Sequence, residues 1–380
     1  VRGRSRNISY PENITIAPNA DTYDERLRLY FVAMTRAKRQ LFLTYSRTDL
    51  NGKDTLVASF LTGVNLQPIV HRTPETVAQL TAQAQTAWHD RIIRKPTASM
   101  KALLAPMLEQ YKLSATHLNN FIDISHGGPQ GFLMNNLLRF PQAKSAGASF
   151  GTAIHAALQR AHTHLSATGE RRPAEDVIGD FVRELHDQRL SIDEFNHYAK
   201  RGTDALSKFL HTEYDSFTPA QKAELNFASQ GVTLGDARLT GSLDLVDIND
   251  NHIFVTDYKT GKPSTSWTGR GDYEKIKLHK YRQQLMFYQL LCQHSRDYAG
   301  YEFDGAILQF VEPDSHGNIH SLDQTFSAEE LAQFTTLIAA VWRCIITLEL
   351  PDASDYSADY KGMLQFEKDL IAGNEVGAQN

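Results

Sequence analysis

Cysteine is almost missing from this chain of 380 residues, which carries only Cys292 and Cys344. Two thiolates cannot supply a four-cysteine iron–sulfur or zinc centre, and they offer no disulfide framework, so a reducing cytoplasm is the expected compartment. Long apolar runs are missing too. No stretch reaches the roughly 20 apolar residues of a membrane helix, and Val1-Arg2-Gly3-Arg4-Ser5-Arg6 precedes no apolar signal core. Neither membrane spanning nor secretion is expected. Basic charge is scarce, with 39 Lys plus Arg against 44 Asp plus Glu and a formal net charge of −5. That balance, taken alone, argues against an autonomous nucleic-acid binder. The chain has no G-x-x-x-x-G-K-[ST] run; Gly261-Lys262-Pro263 lacks the leading glycine spacing and the hydroxyl residue, so the chain is not a complete ATPase. It begins at Val1 rather than Met, which reads as a piece of a longer polypeptide.

What is present describes a folded globular protein: 41% hydrophobic and 22% charged residues, at a length suited to two or three domains. Residues 26 to 45 read as helix, turn and strand, the strand being Leu41 to Tyr45. Between about 64 and 112 scattered helical periodicity (Val77, Leu80, Ala84, Trp88), broken at Pro96, suggests a connector. Helices are expected from Leu113, from near Ser149 and over about 173–215, then strands over about 223–258. A helix over 278–294, a strand over 304–311 and a helix over 327–347 complete the pattern. This succession predicts an α/β domain with a small mixed sheet flanked by helices.

The chemistry concentrates in Leu239-Thr240-Gly241-Ser242-Leu243-Asp244 through His252-Ile253-Phe254-Val255-Thr256-Asp257-Tyr258-Lys259. Two β-rich runs around Asn249-Asp250-Asn251 make a hairpin. With Asp250-Asn251 as a two-residue loop, Asn249 pairs with His252, and counting outward puts Asp244 opposite Asp257. Directly opposed side chains lie about 4.5–5.5 Å apart at Cβ, where two like charges repel unless a cation lies between them. Strand alternation puts Lys259 on the Asp257 face and Tyr258 on the other. Two carboxylates and an ammonium then converge. Hard oxygen ligands with room for water suit Mg²⁺ or Mn²⁺ and phosphodiester hydrolysis, with Lys259 orienting water or neutralising developing charge. The plainer reading is an exposed sheet face on which Lys259 is a salt-bridge partner, and a one-residue register change dismantles the pairing. Gln284 and Tyr288, at i and i+4 of one helix, share a face that could hold a DNA phosphate or base edge, or could be core. His155, early in a helix, could add a nitrogen ligand or be structural. Glu224, on the preceding strand, could belong to the site or to the surface.

In combination, Gly151-Thr152-x-Ile154-His155, Gly241-x-x-Asp244, Asp257-Tyr258-Lys259-Thr260-Gly261 and Gln284-x-x-x-Tyr288, in this order, resemble the PD-(D/E)XK nuclease domain of the RecB/AddB type over about residues 113–350. The resemblance implies a restriction-endonuclease-like core. It implies His155, Asp244 and Asp257 as metal ligands with the Tyr258 carbonyl as another, Lys259 as catalytic lysine, and Gln284 and Tyr288 as DNA-positioning residues. Several relatives frame this domain with cluster-binding cysteines. The segment Ser125-His126-Gly127-Gly128-Pro129 has none, so no iron–sulfur cluster is expected.

The run Asp24 to Lys38, with Thr35-Arg36-Ala37-Lys38 at its end, resembles motif VI of UvrD-like superfamily 1 helicases. That resemblance implies that Arg36 reaches the γ-phosphate of ATP in a full-length motor, as an arginine finger does. A plainer reading is a set of cations at a helix C-terminus. The expected organisation is therefore 1–65 as the tail of a second RecA-like domain, 66–112 as a helical connector, 113–350 as the nuclease and 351–380 as a C-terminal tail. The expected function is metal-dependent hydrolysis of DNA, single-stranded as delivered by the motor, in repair or recombination. The missing helicase domains and a second helicase–nuclease subunit would be its partners, and ATP would serve only the full-length protein. From a different class, a catalytically silent DNA-binding module of the same fold would guide the strand; a third reading makes residues 1–65 an ATP-sensing fragment.

Overall fold

A computed structural model of the protein describes residues 22–45, 48, 53–56, 61, 100–142 and 144–377. The chain divides into two compact units, Val1–Arg94 and Lys95–Asn380. In the first, helix α1 (Thr22–Thr35) ends immediately before Arg36. Leu41 to Tyr45, expected as a strand, has no sheet partner among the described residues, and Phe42 is 80% exposed. A strand is stable only in a ladder, and among the described residues nearby the pairing is the isolated bridge Thr48–Asp54. The periodicity at Val77, Leu80, Ala84 and Trp88, with its break at Pro96, lies outside the described residues.

The second unit runs α2 (Met100–Glu109), α3 (Ala115–Ile122), α4 (Gly128–Phe132), α5 (Ala146–Thr168), α6 (Ala174–Asp187) and α7 (Ile192–Glu213). Strands β1 (Gln221–Asn226), β2 (Thr233–Leu234), β3 (Ala237–Arg238), β4 (Ser242–Asn249) and β5 (His252–Lys259) follow. Then come α8 (Asp272–Gln293), β6 (Glu302–Phe310), β7 (Ser321–Gln324), α9 (Ala328–Thr347) and α10 (Tyr360–Gly377). The main sheet has the order β1-β4-β5-β6-β7; only β5 and β6 are parallel, joined by the α8 crossover. This is the expected mixed sheet flanked by helices. Helix α8 starts earlier than its periodicity suggested, with Asp272 and Glu274 favourably placed in its first turn. The segment set apart as a C-terminal tail is largely α10, whose Met363 and Phe366 are buried.

Two hydrophobic cores cover the two faces of the sheet. One joins it to α3, α8, α9 and α10 through residues such as Val255, Leu308, Phe287 and Phe366; the other joins it to α5, α6 and α7 through Leu245, Tyr258, Ala157 and Phe209. The pleat is interrupted at one place. Ala223 and Leu245, paired across β1 and β4, belong to the second core, whereas the next same-parity pair, Leu225 and Leu243, belongs to the first. In a regular strand residues i and i+2 share a face. Between them Glu224 adopts a left-handed φ of 52°, a conformation costing a non-glycine residue about 1–2 kcal/mol. The sheet exchanges its faces at Glu224 and Asp244, and the candidate site lies there.

Candidate active site

The β4–β5 hairpin has the register read from its turn: Asn249 pairs with His252 and the ladder continues to Leu245–Thr256. Asp250 supplies the left-handed turn residue, with φ 50°. The ladder stops one step before Asp244 and Asp257. There the Tyr258 N–H donates to Asp244 Oδ2 at 2.9 Å, so a side chain substitutes for the backbone partner. The direct pairing of Asp244 with Asp257 expected from the turn is thus replaced at this step by a side chain-to-backbone hydrogen bond. Asp244 turns instead towards His155, whose Nδ1 lies 3.2 Å from Asp244 Oδ2. One donor atom each from His155, Glu224 and Asp244 lie within 4.8 Å of one another. Glu224, left open by the sequence, completes this group; it faces Asp244 in the β1–β4 register and also accepts from Ser242 Oγ at 2.8 Å.

His155 reaches the sheet because α5 comes close to the end of β5. Ser145 caps the helix by accepting from the Ala148 N–H at 3.1 Å. A Cβ at Gly151 would stand 3.2 Å from Thr260 Oγ1, so a side chain there would press on the Thr260 hydroxyl. His155 follows one turn later. Past Lys259, Gly261 takes φ 96° and its N–H donates to Glu312 Oε1, which turns the chain away from the site.

Asp257 and Lys259 do share a face, and Lys259 Nζ lies 2.5 Å from Asp257 Oδ2. Asp257 is only 1% exposed. Removing either member of such a pair leaves a buried charge, typically at a cost of about 3–5 kcal/mol, and α8 meets this demand. Gln284 Nε2 donates to Asp257 Oδ1 at 3.1 Å, Tyr288 hydroxyl donates to the same oxygen at 2.9 Å, and Lys259 Nζ donates to Gln284 Oε1 at 2.9 Å. Gln284 also donates to the Tyr288 oxygen, closing the network. Gln284 and Tyr288, expected to position DNA, are thus placed on the carboxylate and the lysine, and Tyr288 is 4% exposed. The Tyr258 side chain points to the opposite core, where its hydroxyl meets His162 Nε2 at 2.8 Å.

The charged groups of the site act on one another. Burial alone raises the Asp257 carboxyl above the ordinary range, and nearby Asp244 adds to this, against the opposing pull of Lys259. For Asp244 burial is outweighed by the hydrogen bond and charge of His155, with help from Lys259, so its carboxyl lies below the usual range. His155 is raised because Asp244 outweighs desolvation, and Lys259 is raised because Asp257 does. The centre thus holds an ionised carboxylate beside an imidazole and an ammonium. One imidazole and two carboxylates in mutual reach, all half-buried, are a donor set suited to a divalent cation, and perturbed titratable groups gathered at one place are a feature of catalytic sites.

A family model of the PD-(D/E)XK nuclease superfamily matches residues 112–359, well over half of the chain. The chain belongs to the PD-(D/E)XK nuclease superfamily. It is accordingly a nuclease by family, a hydrolase of a class that uses divalent metals, and its fold is one that acts on DNA. The comparison with curated proteins gave no match. Arg36 lies in the first unit, exposed, just past α1. Among the described residues no helix is long and apolar enough to cross a membrane.

Proposed function

We propose that this PD-(D/E)XK domain is a Mg²⁺- or Mn²⁺-dependent DNA nuclease centred on His155, Asp244, Asp257 and Lys259, with Glu224 as a further acidic ligand. The convergence of His155, Glu224 and Asp244 beside the Asp257–Lys259 pair carries this reading. A divalent ion held by His155, Glu224 and Asp244, with Asp257 and the Tyr258 carbonyl completing its surroundings, would supply positive charge at the scissile phosphate and lower the pKa of water. Lys259 keeps its proton, which suits it to neutralising charge that develops on the phosphate or to orienting the attacking water. Gln284 grips both Lys259 and Asp257, and Tyr288 grips Asp257, so the role supported for them is positioning of these two groups. Cleavage of single-stranded DNA with Mn²⁺ tests the reading: the wild type should cut, EDTA should stop it, and Asp257→Ala and Lys259→Ala should lose at least about 10²-fold in rate. Wild-type rates from either variant would refute it.

The finer setting is part of the same proposal. Residues 1–65 would be the tail of the second RecA-like domain of a UvrD-like helicase, residues 66–112 its connector to the nuclease, and Arg36 the residue that reaches the ATP γ-phosphate in the full-length protein. The support is the dense motif run on α1 ending directly before Arg36. The motor, with a second helicase–nuclease subunit, would deliver single-stranded DNA during repair or recombination in the cytoplasm. In the longer polypeptide, Arg36→Ala should abolish ATP hydrolysis and leave Mn²⁺-dependent cutting of single strands unchanged; retained ATPase activity would refute the motor assignment.

A further inference from the structure

Lys277, Tyr281, Gln284 and Tyr288 occupy positions i, i+4, i+7 and i+11 of α8, one continuous stripe of the helix. The last two hold Asp257 and Lys259. The first two continue the stripe towards the N-terminal end of α8, and Tyr281 links them to the reacting groups. Lys259 Nζ lies 4.6 Å from the Tyr281 ring centroid and Lys277 Nζ lies 5.6 Å from the same centroid, both within cation–π reach. Lys277 Nζ is also 5.8 Å from the ring of Phe310, the register partner of Lys259. The Lys259 ammonium and a second ammonium therefore lie against the same aromatic ring.

Their surroundings differ. Lys259 is neutralised by Asp257, and the neighbouring α8 cations Lys280 and Arg282 pair with Asp123 and Glu330. Half-buried Lys277 forms no ion pair with a carboxylate among the described residues; its ammonium donates to the Lys262 carbonyl at 3.2 Å. A half-desolvated cation beside a second cation gains most from an arriving anion, because attraction strengthens where water is thinned. Burial holds the Lys277 ammonium below its ordinary pKa, with the Lys259 charge adding to this against the opposing pull of Glu274 and Glu312.

We propose that Lys277, braced by the Tyr281 ring, binds a backbone phosphate adjacent to the scissile one, forming a second phosphate subsite of the nuclease centre. The ligand is a nucleic-acid phosphodiester, and the assignment rests on the nuclease reading above. Lys277 then acts in substrate binding, whereas Lys259 acts on the reacting phosphate.

The test compares the full chain and its Lys277→Gln and Lys277→Arg variants, with Mn²⁺, on single-stranded oligonucleotides carrying one uncharged methylphosphonate at each position flanking the cut. Gln keeps an N–H donor for the Lys262 carbonyl but lacks the charge. Expected for Lys277→Gln is a KM raised about tenfold with kcat within about threefold of wild type, a salt slope of binding reduced by about one, and recovery in Lys277→Arg. In the wild type one flanking methylphosphonate should raise KM by the same factor, and in Lys277→Gln that substitution should cost nothing further. Losses that multiply, or a fall confined to kcat, overturn the subsite and leave the nuclease reading standing. A wild type that cuts none of the unmodified strand overturns that reading and the subsite with it.

Discussion

The hydroxyl of Tyr288 donates to Asp257 Oδ1 across 2.9 Å, inside a core where Asp257 is 1% exposed. Tyr288→Phe deletes this donor and leaves the ring in place. The expected result is a kcat lowered roughly 10- to 100-fold with little change in KM, together with a loss of about 1–3 kcal/mol of stability from the weakened buried carboxylate. Steady-state cleavage and urea unfolding measure the two effects. A raised KM with unchanged kcat would indicate that Tyr288 holds substrate rather than Asp257.

Glu224 combines a strained backbone with a place in the proposed metal site. Its left-handed φ of 52° is free of steric cost only for glycine, and its carboxylate stands beside that of Asp244. Glu224→Gly should therefore raise metal-free stability by about 1 kcal/mol, a few degrees in Tm, while weakening Mn²⁺ binding at least about tenfold. Calorimetric melting and Mn²⁺ titration check both parts. A variant less stable than wild type, binding Mn²⁺ equally well, contradicts the role given to this residue.

The hairpin was legible in the sequence because Asp250 and Asn251 form a two-residue turn, and short turns fix register by counting. The same counting could not place Glu224. The β2–β3 hairpin intervenes between β1 and β4, so no tight turn ties their registers together. The departure of Asp244 from the ladder was hidden for another reason: its side chain takes a backbone donor, the Tyr258 N–H, which alternation rules do not anticipate. His155 was readable as a candidate, but its contact with Asp244 joins elements far apart in the chain, which no local pattern predicts. Lys277 carried no motif, and only its position one turn before Tyr281 on the α8 stripe brings it to the site. Leu41 to Tyr45 has the composition of a strand, yet composition supplies no partner.

His162 gives the fold an acid-sensitive limb. It is 1% exposed, and burial lowers its pKa from the ordinary 6.5 to about 3. Between these values the unfolded chain binds a proton that the folded chain does not, so stability falls as pH drops from 6.5 towards 3, at up to about 1.4 kcal/mol per pH unit. His162→Phe removes the titrating group and should flatten this limb in a Tm-against-pH series, at the cost of the Tyr258 hydroxyl's hydrogen bond at all pH values. An unchanged slope in the variant would show that other groups dominate acid unfolding.

In the proposed centre His155, Glu224 and Asp244 hold a divalent cation next to Asp257 and Lys259. Anomalous diffraction from crystals of the protein soaked in Mn²⁺ tests it most directly. One strong peak is expected about 2.0–2.3 Å from a donor atom of each of those three residues, and it should be lost in Asp244→Ala. A peak elsewhere, or none at these residues in the wild type, would contradict it.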